Sequence, residues 1–397
     1  MSLEEIINKQ LSHGGLVQGL HLCQCQKLTH FGLLVAKIVS SQNIASGPIF
    51  QEVYSKLYKD YVELSKTDEE KVEGEEEEDG IEEPVDVREE LEKQNPVRYV
   101  KLLCNWTTSE HLCKLWNKMS QNGDYKWNDI QITWKDEPEP DYYVIINKPP
   151  ENALYKPEKT IIFQMEPNMA QREDLWGKEW VQSDKNKFLE VVDHESAPNN
   201  VEWHLSKTHK QLKEQKIEKK FNRELSTILT DKYQDPGQKL RIDFVRFLEE
   251  KGDIKIHRYG ADGMTHRLAY KNYRGGLPYH NKDRGLFPYQ YTFNAENHSI
   301  PNYCTEKLID AILSECLCFY WGPDNISELI DERAYVRLEL KDFEHAYNVI
   351  KDAIDNDLWV ERLPYISKEK FRILNELQFF PRLESIINKH IRSERED

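Results

Sequence analysis

Between Tyr289 and Asn325 the chain reads YQYTFNAENHSIPNYCTEKLIDAILSECLCFYWGPDN, a polar cluster held between a strand-like run and an apolar helical one. Glu296 and Asn297 follow the alternation of Tyr289, Tyr291 and Phe293, which places them where a strand gives way to a loop. Ligands gather at that edge in α/β folds. Tyr303, Thr305, Glu306 and Lys307 then open a helical pattern of Leu308, Ile309, Ala311 and Ile312. The free N–H groups of a helix start favour an anion, and a lysine beside them suits a diphosphate.

Elements of both kinds surround this cluster and have to position it. From about residue 96, strand-like runs (Val97 to Leu103, Asp141 to Ile146, Thr160 to Phe163) alternate with helical ones (Ser109 to Met119, Asn168 to Trp176). That alternation predicts βαβ units and a parallel sheet. A second set begins near 222, with Leu225 to Leu229 and Ile254 to Tyr259 as strands and Leu240 to Lys251 as an amphipathic helix. Two α/β domains facing each other leave a cleft. Residues 260–288 have no period and read as one long loop, and loops of that length inside compact domains tend to be functional. Its His266 and His280, with His257 just before it, have the chemistry of bases or metal ligands but read first as ordinary hydrogen-bonded histidines.

The chain has 397 residues and a formal charge of −16. Residues 68–94 hold fifteen Asp/Glu against three Lys/Arg, a net −12 that leaves −4 elsewhere. This stretch is expected to be a solvated linker, with a charged docking tail as the alternative. The remaining basic residues are scattered, so no nucleic-acid footprint is expected. No run of about 18 apolar residues occurs, and the start MSLEEIINKQ lacks the regions of a secretory signal, so the chain is expected to be cytosolic, with no integral membrane segment. The pairs Cys23/Cys25 and Cys316/Cys318 lack zinc-site spacing, and the second pair reads as small apolar fillers of a buried strand. Asp355-Asn356-Asp357 matches a D-x-D pattern, but Ala346 to Trp359 reads as a helix that would leave these acids at an exposed end. No Walker-type G-x-x-x-x-G-K-[ST] is present.

The order Tyr289 to Asn297, then Tyr303-Cys-Thr305-Glu306-Lys307, then Phe319-Tyr320-Trp321-Gly322, resembles the core motif of glycosyltransferase family 10, the α1,3/α1,4-fucosyltransferases. Leu225 to Leu248, with Ser226, Gly237, Arg241 and Phe244, is similar to the segment before that motif. Phe163-Gln-Met-Glu166-Pro-Asn resembles the segment in which a glutamate ends a strand. The resemblance covers about 140–395 and is densest over 225–345. Two positions depart from it: Gln290 stands where the pattern has a cation, and Ala295 where it has an aromatic ring.

This resemblance implies an α/β protein of GT-B type, two Rossmann-like domains facing a cleft, with an N-terminal helical extension. The expected layout is a helical module over 1–66 and an acidic linker over 67–95. An acceptor domain over 96–222, a sugar-nucleotide domain over 223–360, and helices over 361–397 that pack back on the first domain would follow. The implied reaction transfers a sugar with inversion, GDP-fucose being the implied donor and a glycan the acceptor. Such a displacement needs a base for the acceptor proton and positive charge for the departing diphosphate. By resemblance, Glu166 would be the base, its pKa raised by desolvation in the cleft, and Arg241 and Lys307 would hold the diphosphate. Tyr303, Thr305 and Glu306 would contact the nucleotide or the transferred sugar, while Glu296 and Asn297 would shape the donor pocket. No metal or other cofactor is expected, and the absence of a membrane anchor from the chain as given suggests a bacterial or viral type of origin. The alternatives are a transferase with another nucleotide sugar, or a non-catalytic glycan- or partner-binding protein whose contacts run through residues 1–95.

Overall fold

A computed structural model describes residues 96–167, 169–195, 202–261 and 272–396. The expected helical module and acidic linker lie outside the described residues, as do Asn168 and His266.

The first sheet contains β1 (Arg98–Cys104), β2 (Lys126–Trp127), β3 (Ile130–Thr133), β4 (Tyr142–Ile146), β5 (Thr160–Phe163) and β6 (Glu190–Val192). Its order is β2-β3-β1-β4-β5-β6, parallel throughout except for β2 against β3. The second contains β7 (Phe221–Ile228), β8 (Ile256–Ala261), β9 (Tyr273–Leu277), β10 (Tyr289–Ala295), β11 (Leu317–Trp321) and β12 (Tyr335–Arg337). Its order is β12-β11-β10-β7-β8-β9, all parallel. Renumbered within its own half, the second sheet runs 3-2-1-4-5-6. The first, without its antiparallel edge strand, runs 2-1-3-4-5. These are the two common doubly wound orders, and each has a switch point where the order reverses, between β1 and β4 and between β7 and β10. Two α/β halves, each built on its own parallel sheet, make the GT-B type of architecture.

Parallel strands are covered on both faces, which makes their sequences read as continuous apolar runs. In the first sheet Leu102, Val144, Ile146 and Phe163 join the main core, while their neighbours Leu103, Ile145 and Ile162 pack with Phe188 and Val191 on the other face. All seven residues of β10 are buried, so the alternation seen in its sequence marks two covered faces rather than one wet and one dry. Two of its polar members are satisfied: the Thr292 hydroxyl donates to the Ser226 carbonyl at 3.1 Å and the Asn294 amide to the Lys307 carbonyl at 3.0 Å.

The helices that position the site are α1 (Ser109–Trp116), α2 (Ala170–Trp176), α3 (Pro236–Lys251), α4 (Glu306–Leu313), α5 (Phe343–Asp355), α6 (Leu358–Arg372) and α7 (Phe379–Glu396). Several bounds correct the expected ones. Helix α3 begins at Pro236, whose fixed φ suits a first turn, so Arg241 lies in its second turn and faces inward. The single helix expected over Ala346 to Trp359 is two, broken at Asn356 and at Asp357, whose φ is 50°. Asp355 of the D-x-D pattern pairs with Arg223 and Lys351. Helix α6 passes through Pro364 and continues as a wide turn over Ile373–Leu377. The long loop is also corrected: it contains β9 at the sheet edge and a helical turn over Asp283–Leu286. Glycine-rich YRGGL carries too little apolar signal to announce an edge strand.

Helix α7 lies against the first sheet. The Phe379 ring meets Trp116 at 4.6 Å and Phe163 at 5.8 Å between centroids, and Arg98 donates to Asn388 at 3.2 Å. The Gln378 amide donates to the Met119 carbonyl at 3.2 Å. No helix among the described residues is long and apolar enough to cross a membrane.

Candidate functional site

The switch point of the second sheet is built around a buried carboxylate. Glu296, the first residue after β10, is fully buried. Its Oε1 accepts from the Thr305 N–H and hydroxyl, both at 2.9 Å, and from the Tyr320 hydroxyl at 3.0 Å. Its Oε2 lies 2.7 Å from the Thr305 hydroxyl and 3.1 Å from Lys307 Nζ. Glu296 therefore lies beneath the site and orders its floor. The Thr305 hydroxyl is turned to Glu296 and does not cap α4. Its first-turn amides stay open toward an anion.

Arg241 is buried, and its Nη1 donates to the Ala295 carbonyl and to Asn297 Oδ1, both at 3.0 Å. Its Nε has no protein partner among the described residues. Burial lowers its pKa, although Glu296, Glu306 and Tyr303 oppose that shift. The approach of α3 requires a glycine at its first turn. The Gly237 N–H donates to the Asn297 carbonyl at 2.9 Å, and a Cβ on Gly237 would lie 1.8 Å from the Glu296 carbonyl oxygen.

The charges beside the floor form one set. Lys307 Nζ donates to the Thr305 hydroxyl at 2.9 Å and lies 3.6 Å from Glu306. Lys282 Nζ reaches Asp310 at 2.8 Å and Glu306 at 3.1 Å. Burial would raise the Glu306 pKa, but Lys282 and then Lys307 outweigh it and hold this carboxyl well below the usual range. Burial likewise opposes the charge on Lys307, yet Glu296 and Glu306 raise its pKa. Asp310 and Glu306 do the same for Lys282.

Lys282 and Asp310 were missed by sequence reasoning. Asp310 had a signal, since it is the one charge inside the apolar run Leu308 to Ile312. Lys282 had none, because it comes from the loop that carried no period.

The first half closes on this set through two segments. The His204 N–H donates to Asp310 at 2.8 Å, and Lys118 Nζ to the Leu205 carbonyl at 2.8 Å. Asn302 donates to the His194 carbonyl at 2.7 Å, and the His194 ring stands edge-on to Tyr303 with centroids 5.5 Å apart. Tyr303 is buried and also faces His298. Glu166 lies on this side, three residues past β5 and partly exposed, its N–H donating to Asn147 Oδ1 at 3.1 Å. The backbone carbonyls of Met165 and Glu166 face the His194 imidazole, which also faces Asn302. Arg241, Glu296, Asn297, Thr305, Glu306 and Lys307 thus share one cluster. Tyr303 borders it, and Glu166 stands across from it by way of His194.

No family model matches the chain. Over 81 residues it is 35% identical to the alpha-(1,3)-fucosyltransferase FucT of Helicobacter pylori. The matched stretch is 20% of this chain and 17% of that protein's length. Among solved structures, an alpha1,3-fucosyltransferase is similar at 18% identity and a TM-score of 0.41, over 72% of this chain and 84% of the other. Its complex with GDP-fucose is similar at 16% identity and a TM-score of 0.37, over 73% and 85%. An alpha-glucosyltransferase in complex with UDP and DNA is similar at 8% identity and a TM-score of 0.45, over 70% of this chain and all of the other.

Proposed function

We propose that this protein is an inverting glycosyltransferase that moves fucose from GDP-fucose onto a hydroxyl of a glycan. The observation that carries this reading is the cationic set at the second switch point. Arg241 and Lys307 flank the buried Glu296, beside a helix start that its own N-cap residue, Thr305, leaves uncapped. That arrangement suits a diphosphate: the free Nε edge of Arg241 offers a directed donor, Lys307 a point charge, and α4 a set of aligned amides. The local similarity to a fucosyltransferase supports the choice of sugar and nucleotide.

In the proposed step the acceptor hydroxyl gives its proton to the Glu166 carboxylate. Its oxygen attacks the anomeric carbon from the face opposite the diphosphate, and the bond from that carbon to the diphosphate oxygen breaks. The developing charge is met by groups already fixed in place, so little reorganisation is needed when the bond breaks. Tyr303 and Glu306 line the donor, with Asn297 orienting Arg241. Two cations meet the leaving group, and the reading asks for no further cofactor.

A ligand that binds only the folded chain raises its melting temperature. GDP and GDP-fucose are expected to do so, and UDP- and dTDP-sugars are not. A shift with the latter alone would change the donor, and no shift with any nucleotide would remove the transferase reading.

A further inference from the structure

Beside the donor cluster, where the first half meets the turn after β9, lies a second group of side chains that the proposed transfer does not use. Glu202, His204 and His280 each present one possible ligand atom, all within 4.8 Å of one another. We propose that these three residues bind a divalent transition-metal ion of the zinc class.

Zinc bonds to nitrogen and carboxylate oxygen of about 2.0–2.2 Å set neighbouring ligand atoms of a tetrahedron about 3.3 Å apart. Glu202 Oε1 and His204 Nε2 are already 3.2 Å apart. His280 completes the triangle from another element, the turn after β9, with its ring 4.0 Å from that of His204 between centroids. A hydrogen-bonded pair would account for Glu202 and His204 but not for His280. That ring is nine-tenths buried, and its Nδ1 has no partner among the described residues. Its backbone has φ 53°, in the left-handed region.

The supporting shell has the form that metal sites use. The other oxygen of Glu202 accepts from the Trp116 indole N–H at 2.8 Å, which fixes the carboxylate. With His204 Nε2 toward the ion, its Nδ1 faces Glu306 Oε1 at 4.0 Å, the order of a carboxylate–histidine–metal relay. Lys118 and Lys282 work against a cation, but Asp310 and Glu306 balance Lys282. Two imidazoles and one carboxylate favour zinc, cobalt or nickel over magnesium or calcium. Three protein ligands leave one position open.

The test is titration of the purified full chain, stripped with a chelator, with Zn²⁺ by calorimetry and with Co²⁺ by visible absorption. The expected result is about one ion per chain, with the intense bands of four-coordinate cobalt. His280→Ala and Glu202→Gln should each weaken binding at least about tenfold, and His345→Ala should leave it unchanged. Circular dichroism of the metal-free variants confirms that they fold; should His280→Ala not fold, Glu202→Gln decides. Absence of binding at tens of micromolar ion would overturn the site. So would undiminished binding in both site variants, which would place the ion elsewhere. The readout uses no sugar nucleotide, so its failure is distinct from failure of the transferase reading.

Discussion

The two switch points are built from the same kind of fold and are finished in opposite ways. At the second, every side chain around Glu296 is bonded to another, and the positive groups are set before any ligand arrives. At the first, the strand ends carry Trp106, about half exposed, together with Asn147 and a partly exposed Glu166. The difference follows from the chemistry proposed for each. A diphosphate leaving group has a fixed charge and shape, so a rigid cationic floor stabilises it without reorganisation. An acceptor hydroxyl carries no charge and needs one base and an open approach.

If that division holds, a single substitution on the sparse side has the largest effect on turnover and almost none on the fold. Glu166→Gln should lower kcat by about 10²–10⁴-fold, the usual worth of a general base, with an unchanged melting temperature. An unchanged kcat would remove Glu166 from the mechanism.

On the dense side the same kind of change should harm the fold as well. Lys307→Met leaves Glu296 buried without its cation and should cost about 3–5 kcal/mol of unfolding free energy. Adding Glu296→Gln should restore part of that loss without restoring GDP binding, a non-additivity that urea unfolding of the double-mutant cycle can measure. Simple additivity would show that the pair is not coupled. Gly237→Ala should come next, at about 1–3 kcal/mol of overpacking, because its methyl would meet the Glu296 carbonyl and push α3 outward. GDP affinity should fall with it, since Arg241 rides on that helix.

The same contrast decides what could be read from the sequence. The second site was legible because its parts are close along the chain: Glu296, Asn297, Thr305, Glu306 and Lys307 fall within twelve residues, at one strand end and one helix start. Gly237 and Arg241 were reached through the family resemblance rather than through periodicity. The groups that fix the charges from a distance were not legible. Lys282 meets Glu306 across 24 positions, and His204 meets Asp310 across 106, spacings that local patterning does not register. On the first side β2, β3 and β6 went unread: β2 and β6 have two and three residues, too few to show a period, and β3 offers only Ile130 and Ile132 as apolar positions, against three successive ones in β5. The edge strand β9 was hidden for another reason: Gly275 and Gly276 give it no apolar face to display.

The smallest expected effect is on acid sensitivity, which should reach the two halves by different routes. In the second, Arg274 Nη2 lies 2.6 Å from His257 Nε2. The guanidinium can only donate, so this nitrogen must be unprotonated, and Nδ1–H donates to the Tyr289 hydroxyl at 2.9 Å. Burial first and Arg274 second lower the His257 pKa. In the first half, burial alone does most of this to His209, packed edge-on to Trp127 at 5.3 Å. A histidine whose folded pKa is depressed binds fewer protons in the folded chain than in the unfolded one. Stability is then full above the unfolded value near 6.5 and is lost as pH falls below it, by at most about 1.4 kcal/mol per pH unit for each ring. His257→Gln can still accept from Arg274 and donate to Tyr289 but does not titrate. Urea unfolding between pH 7.5 and 5.5 should therefore show a flatter pH dependence in this variant. An unaltered slope would mean that the Arg274–His257 contact does not exclude the proton, leaving His209 and the other buried rings as its source.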